Sequence, residues 1–263
     1  MKGLVVKLVE IDHEHEKILR KLLGISNSNP IVCLFTHVNW DACFDFASMI
    51  FETANEWVIE SIKKMIDNNQ VNWIIRIHPG DLTDGTVFTT DALIKKEFPN
   101  LPNHIKVIWS DMAVNSYSVY QLIDVGITIF GTVGVELSAL GKPVILAGDA
   151  HYAGKGFVID SSSRQAYFKH LDNSFAITLL SAEQIELAQQ YAYSYFIQRQ
   201  IPITMIDQSK GGHWGGLDIN KLNELLPGKN KALDKICEGI MQGSDVILDE
   251  IALKTLNIYE RQG

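Results

Sequence analysis

Between residues 31 and 147, short continuous apolar runs alternate with segments whose apolar positions recur every three or four residues. The runs are Ile31–Thr36, Val71–Ile77, Ile105–Trp109, Val125–Phe130 and Pro143–Ala147. Each has the length and composition of a strand covered on both faces. The periodic segments read as helices. Ile50, Ala54, Trp57, Val58, Ser61, Ile62 and Met65 form one stripe, which stops at Asn68-Asn69. Thr89–Phe98 is a shorter helix closed by Pro99, followed later by Ser116–Ile123 and Val133–Leu140, with Gly141 placed as a C-cap. Strand and helix alternate five times, which predicts right-handed crossovers and a parallel, doubly wound α/β sheet.

The flanks read differently. Residues 1–29 hold an apolar run, Val5–Val9, a short helix, Glu14–Leu23, and a turn cluster, Ser26–Pro30. They are expected to be a lead-in segment or the remnant of a preceding domain. Residues 30–263 are expected to be one domain whose closing C-terminal helices begin at about residue 180. Those helices are Ala182–Gln200, Lys221–Leu226, Lys231–Met241 and Ser244–Leu256, with the Gly-rich loop Asp207–Gly216 among them.

Composition narrows the function classes. The chain is 46% hydrophobic and 21% charged, the balance of a soluble globular protein. It is too apolar to be disordered, and no run approaches the ~18 apolar residues of a membrane span. A net charge of −8 leaves no basic excess for a nucleic-acid backbone, so no nucleic-acid partner is expected. Cys33, Cys43 and Cys237 are isolated, which favours a reducing, cytoplasmic setting over a disulfide framework. The first residues lack a signal-peptide core.

In an open parallel sheet, ligands lie beyond the carboxyl ends of the strands. The residues there are His37–Asp41, His78–Asp81, Ser110-Asp111, Gly131–Gly134, and Gly148-Asp149 with His151-Tyr152. Gly131–Glu136 (GTVGVE) is the most informative. It joins a strand directly to a helix, and free amides at a helix start favour an anion such as a phosphate. Thr132 is the natural N-cap. Glu136 lies one position too late to close a capping box with it and so is available to ribose hydroxyls. An ordinary tight turn with a solvated glutamate is the alternative. Arg76 and His78 share one strand face, and Pro79 ends the ladder behind them. A fixed imidazole there is a donor to a phosphate or base, or a partner for a neighbouring loop. GxGxxG and GxxxxGK[ST] are absent, as are HExxH, GxSxG and Cys/His clusters. His13-Glu14-His15 lacks a third metal ligand, so no metal is expected. His213-Trp214 reads as a surface turn or a closing loop.

FTHVNWDA (35–42), WIIRIHPGD (73–81) and DVGITIFGTVGVELSALGKPVILAGDAHY (124–152) together resemble capsule and surface polysaccharide biosynthesis proteins, which include Kdo transferases. The resemblance runs from about residue 30 to 170 and implies the C-terminal, Rossmann-like half of a GT-B glycosyltransferase with a helical extension. It implies a nucleotide-sugar donor such as CMP-Kdo as substrate, with no further cofactor. By position, His78-Pro79 would contact the nucleotide, Gly131-Thr132 its phosphate, and Glu136 its ribose or sugar. Arg76, Ser110, Asp111, Gly134 and Tyr152 complete the expected donor site, and Asp41 is the expected catalytic carboxylate. The partners implied are a polysaccharide or glycolipid acceptor, a membrane-side biosynthetic complex met peripherally at the inner face, and a second copy of the chain. GT-B enzymes carry a second α/β domain, and only one is visible here. A UDP-sugar 2-epimerase-like enzyme and a non-catalytic partner module are the alternative readings.

Overall fold

A computed structural model describes residues 13–38, 50–82, 88–201, 203, 205–207 and 215–248. Five apolar runs form the strands expected of them: β1 (Ile31–Phe35), β2 (Asn72–Arg76), β3 (Ile105–Ile108), β4 (Val125–Thr128) and β5 (Val144–Leu146). A sixth, β6 (Ile159–Asp160), adds an edge that sequence periodicity did not reveal. The order is β3-β2-β1-β4-β5-β6 and every pairing is parallel, the order of a doubly wound, Rossmann-like sheet. β1, β2, β4 and β5 are buried at every position, because helices cover both faces.

The helices of this unit are α1 (His13–Leu23), α2 (Ala54–Asp67), α3 (Thr90–Glu97), α4 (Ser116–Leu122), α5 (Val133–Ala139), α6 (Arg164–Asp172) and α7 (Ala182–Tyr193). The expected stripe of α2 is its buried face, with Trp57, Val58, Ser61, Ile62 and Met65 inside. Thr53 caps this helix by accepting from the Glu56 amide. Gly141 ends α5 with φ +83°, a conformation glycine adopts without strain. One core cluster joins Ile31, Cys33, Phe35, Ile74 and Ile108 to Leu19, Leu23 and Ile25 of the lead-in and to Val119, Tyr120 and Leu137. The opposite face carries a buried polar knot between α2 and α6. Trp57 Nε1 donates to Tyr167 Oη at 2.8 Å, and Ser61 Oγ lies 2.7 Å from the same hydroxyl.

The chain divides into two compact units, Met1–Gln189 and Gln190–Gly263, the boundary falling inside α7. In the second unit the expected long helix stops at Tyr193 and continues as a wide π-type turn, Ser194–Gln198. A short antiparallel pair, β7 (Ile206–Asp207) with β8 (Gly216–Leu217), takes the two end residues of the expected Gly-rich loop, and residues 208–214 of that loop lie outside the described residues. Residues 219–225 form a 3-10 helix, and α8 (Lys231–Gln242) closes the described part. Residues 244–248 have no regular structure, and the rest of the helix expected over Ser244–Leu256 lies outside the described residues.

Candidate functional site

The strand order reverses between β1 and β4, and a crevice in such a sheet opens beyond the carboxyl ends at that point. The segments after β1, β2 and β4 are tied together there. The His78 amide donates to Thr36 Oγ1 at 3.0 Å. The His37 ring stands edge-on to Phe130, with centroids 5.4 Å apart. A 3-10 turn, Pro79–Leu82, follows His78 because Pro79 cannot continue the ladder.

His78 has an exposed side chain whose orientation is set locally. Its Nδ1 accepts the Gly80 amide proton at 3.0 Å. A neutral ring that accepts at Nδ1 carries its proton on Nε2, so the bond assigns that tautomer. Pro79 is exposed beside it. Asp81, two residues on, is buried, and it accepts from the Thr90 amide at the start of α3. Burial holds its carboxyl above the ordinary range, with the Asp91 charge adding to the effect. Among the described residues its Oδ1 has no hydrogen-bond partner.

Arg76 is only 5% exposed. Its guanidinium donates to the carbonyls of Ile77 at 3.1 Å and Val114 at 3.0 Å, and reaches Trp109 O at 3.5 Å. It thus ties together the segments after β2 and β3. Ser110 is buried and donates to Asp91 Oδ2 at 2.7 Å, while Asp111 is exposed.

The Gly131–Glu136 turn differs locally from the sequence expectation. Thr132 already has helical dihedrals, φ −58° and ψ −18°, and its hydroxyl makes no cap bond. It donates instead to Glu136 Oε1 at 2.9 Å. Glu136 Oε2 accepts from Tyr120 Oη at 3.0 Å. The carboxylate expected to be available is therefore held by two hydroxyls. Burial, then the Glu136 charge, pushes the Tyr120 phenol far above its usual range and keeps it a donor. The Gly131 amide donates to Thr128 Oγ1 at 3.1 Å.

Tyr152 is wholly buried beneath this turn, and its hydroxyl donates to Gly131 O at 2.7 Å. A Cβ on Gly134 would overlap that same hydroxyl. The close approach that makes glycine necessary at 134 is thus an approach by a tyrosine. Tyr120, Thr36, Thr128 and Asp91 are the site residues that sequence reasoning missed. Tyr120, Thr36 and Asp91 act through partners 16 to 42 residues away, which no motif marks, and Thr128 through the Gly131 amide three residues on.

Asp41, with Asn39 and Trp40, lies outside the described residues, as do His213 and Trp214. His13 and His15 fall in the first turn of α1. Among the described residues no three His, Cys, Asp or Glu side chains are grouped to hold a metal ion, and no helix is long and apolar enough to cross a membrane.

No family model matches the sequence, and no curated protein matches it. Solved structures do. A KpsC beta Kdo 2,4 transferase from Thermosulfurimonas dismutans is 17% identical, covering 67% of this chain and 53% of that one, with a TM-score of 0.41. The wall teichoic acid polymerase TagF is 14% identical over 69% of this chain and 43% of its own, with a TM-score of 0.43. The spinosyn rhamnosyltransferase SpnG is 15% identical over 64% of this chain and 43% of its own, with a TM-score of 0.44. The match spans about half the length of the KpsC structure and less of the other two.

Proposed function

We propose that this chain is the nucleotide-sugar-binding part of a metal-independent GT-B glycosyltransferase. The crevice at the strand reversal supports this reading. On one side His78 presents an Nε2–H donor fixed by the Gly80 amide, and on the other the Gly131–Thr132 turn leads into α5. The nucleotide of the donor lies between them. Donors set in place before the reaction stabilise the charge that grows on a departing phosphate. The imidazole donates to the phosphate or base, and the positive end of the α5 dipole faces the anion. Glu136, oriented by Thr132 and Tyr120, keeps acceptor capacity for a sugar or ribose hydroxyl. Asp41 is the proposed base for the acceptor hydroxyl. The finer proposal is a role in capsule or lipopolysaccharide synthesis with a CMP-linked acidic sugar such as CMP-Kdo. It places the chain in the cytoplasm, peripherally at the membrane, with a polysaccharide or glycolipid acceptor.

Calorimetric titration with CMP, UDP, GDP and TDP and their sugars tests this. One nucleotide is expected to bind, and His78→Ala is expected to weaken it about tenfold or more, the loss of one charge-assisted hydrogen bond. Equal affinity in the variant, or no binding by any of the four, overturns the reading.

A further inference from the structure

Tyr117 stands at the crevice and has no part in the proposed handling of phosphate and ribose. α4 follows β3 and runs back to the start of β4, so its first turn lies at the carboxyl ends of the strands. Tyr117 is in that turn, three residues nearer the crevice than Tyr120, or about 4.5 Å along the helix axis. α4 and α5 cover the same face of the sheet, where Val119, Tyr120 and Leu137 share one core cluster. The Tyr120 ring packs edge-on against Phe35, the last residue of β1, with centroids 5.7 Å apart. Tyr120 thus marks the strand reversal, and Tyr117 lies on its crevice side.

A continuous series of contacts joins Tyr117 to the start of α5. Thr132 Oγ1 donates to Glu136 Oε1 at 2.9 Å, and Tyr120 Oη donates to Glu136 Oε2 at 3.0 Å. The Tyr120 ring then meets the Tyr117 ring at 5.5 Å between centroids and 69° between planes. Tyr120 is buried, whereas Tyr117 is 55% exposed. The backbone that carries Tyr117 is fixed on both sides. Arg76 donates to the Val114 carbonyl at 3.0 Å, and the Asn115 side chain accepts from the Tyr117 amide at 2.8 Å. An open aromatic ring is therefore held in place beside the carboxylate proposed for ribose.

We propose, resting on the nucleotide-sugar reading of the crevice, that the base of the donor stacks on the Tyr117 ring. A nucleotide is joined in the order phosphate, ribose, base. The protein offers a helix start, a carboxylate and an open aromatic ring in the same order, each in contact with the next through Thr132 and Tyr120. The Glu136 carboxylate disfavours a second anion near the ring, whether phosphate or sugar acid. The base is the flat, neutral part of the molecule. Every base has a π-face, so an aromatic platform adds affinity whichever base is present. A ring already held by Tyr120 and by a fixed backbone loses little freedom when the base arrives.

The test is calorimetric titration of the whole chain with CMP, UMP, GMP and AMP, with ribose 5-phosphate as the control that lacks a base. At least one nucleotide is expected to bind about tenfold or more tightly than ribose 5-phosphate, the usual worth of one stacked base. Tyr117→Ala is expected to lose about tenfold for that nucleotide and to leave ribose 5-phosphate unchanged. Tyr117→Phe keeps the ring and is expected to bind as the parent does. If ribose 5-phosphate binds too weakly to measure, the contrast between the Phe and Ala variants decides alone. Stacking on Tyr117 is overturned if the Ala variant binds the nucleotide as tightly as the parent, if it loses nucleotide and ribose 5-phosphate alike, or if the Phe variant falls with it. His78→Ala in the same series separates the two readings. A nucleotide weakened by His78→Ala and not by Tyr117→Ala removes the platform and leaves the phosphate site, whereas no binding by any of the five compounds removes both.

Discussion

Gly134 and Tyr152 show how a single position answers to a distant neighbour. The backbone of Gly134 needs no unusual dihedral, yet any Cβ there meets the Tyr152 hydroxyl and ring. Gly134→Ala must push the ring aside and break the bond from Tyr152 to the Gly131 carbonyl. A destabilisation of about 1–3 kcal/mol is expected, the usual cost of overpacking. In a Tyr152→Leu background the added cost should shrink, because the clash partner has gone. Denaturant titration of the four proteins of this cycle reads the coupling, and purely additive effects would refute the contact. Asp81 carries a pH signature. Burial raises its carboxyl pKa in the folded chain, so the folded state holds the proton more tightly than the unfolded state does. The resulting stabilisation is present below the ordinary carboxylate range and is lost as pH rises through the raised value. Asp81→Asn should flatten the stability profile across that window. Superimposable profiles for parent and variant would show that the carboxyl is not perturbed.

At the scale of elements, α1 is the test case. Leu19 and Leu23 are buried in the core cluster, while Ile18 and Leu22 are more than half exposed. One helix therefore has a face that stabilises and a face that does not. Leu19→Ala is expected to cost about 2–5 kcal/mol, the range for deleting a buried leucine. Ile18→Ala should stay within about 0.5 kcal/mol, as surface changes do. Chemical denaturation of both variants distinguishes a helix built into the core from one resting loosely on it, for which both changes would be small. α5 is placed in a similar way, with its Leu137 seated over Gly126 of β4, and this brings the Gly131 turn to the strand ends. α3 is fixed from outside its own sequence by Asp81, whose carboxylate accepts at its first turn.

For the whole molecule, Cys33 reports on the sheet. It lies on β1, is wholly buried, and burial pushes its thiol far above the usual range. Cys237 is exposed. In a variant with Cys43→Ser and Cys237→Ser, thiol labelling should proceed only through unfolding of the central strands, at a rate that falls with added stability. Rapid labelling under native conditions would mean that β1 opens locally. The crevice is likewise a property of the whole sheet. His78 and Gly131 are neighbours across it only because β1 separates β2 from β4, an order that no single segment encodes.

Five strands, the helices between them and the parallel winding were legible in the chain because burial on both faces writes a continuous apolar run, and burial on one face writes a 3.6-residue period. The positions of His78 and of the Gly131–Glu136 turn at strand ends were legible for the same reason. The two-residue β6 was not, since a strand that short carries no pattern and exists only as a partner of β5. Tertiary structure alone also decided what the polar side chains do. Glu136 receives Tyr120 from sixteen residues away, Arg76 turns its two terminal nitrogens to loop carbonyls, and Tyr152 sits beneath the turn rather than at its surface. Periodicity records which side of an element is buried. It does not record which distant atom satisfies a hydrogen bond, because that depends on how the crossovers bring the elements together.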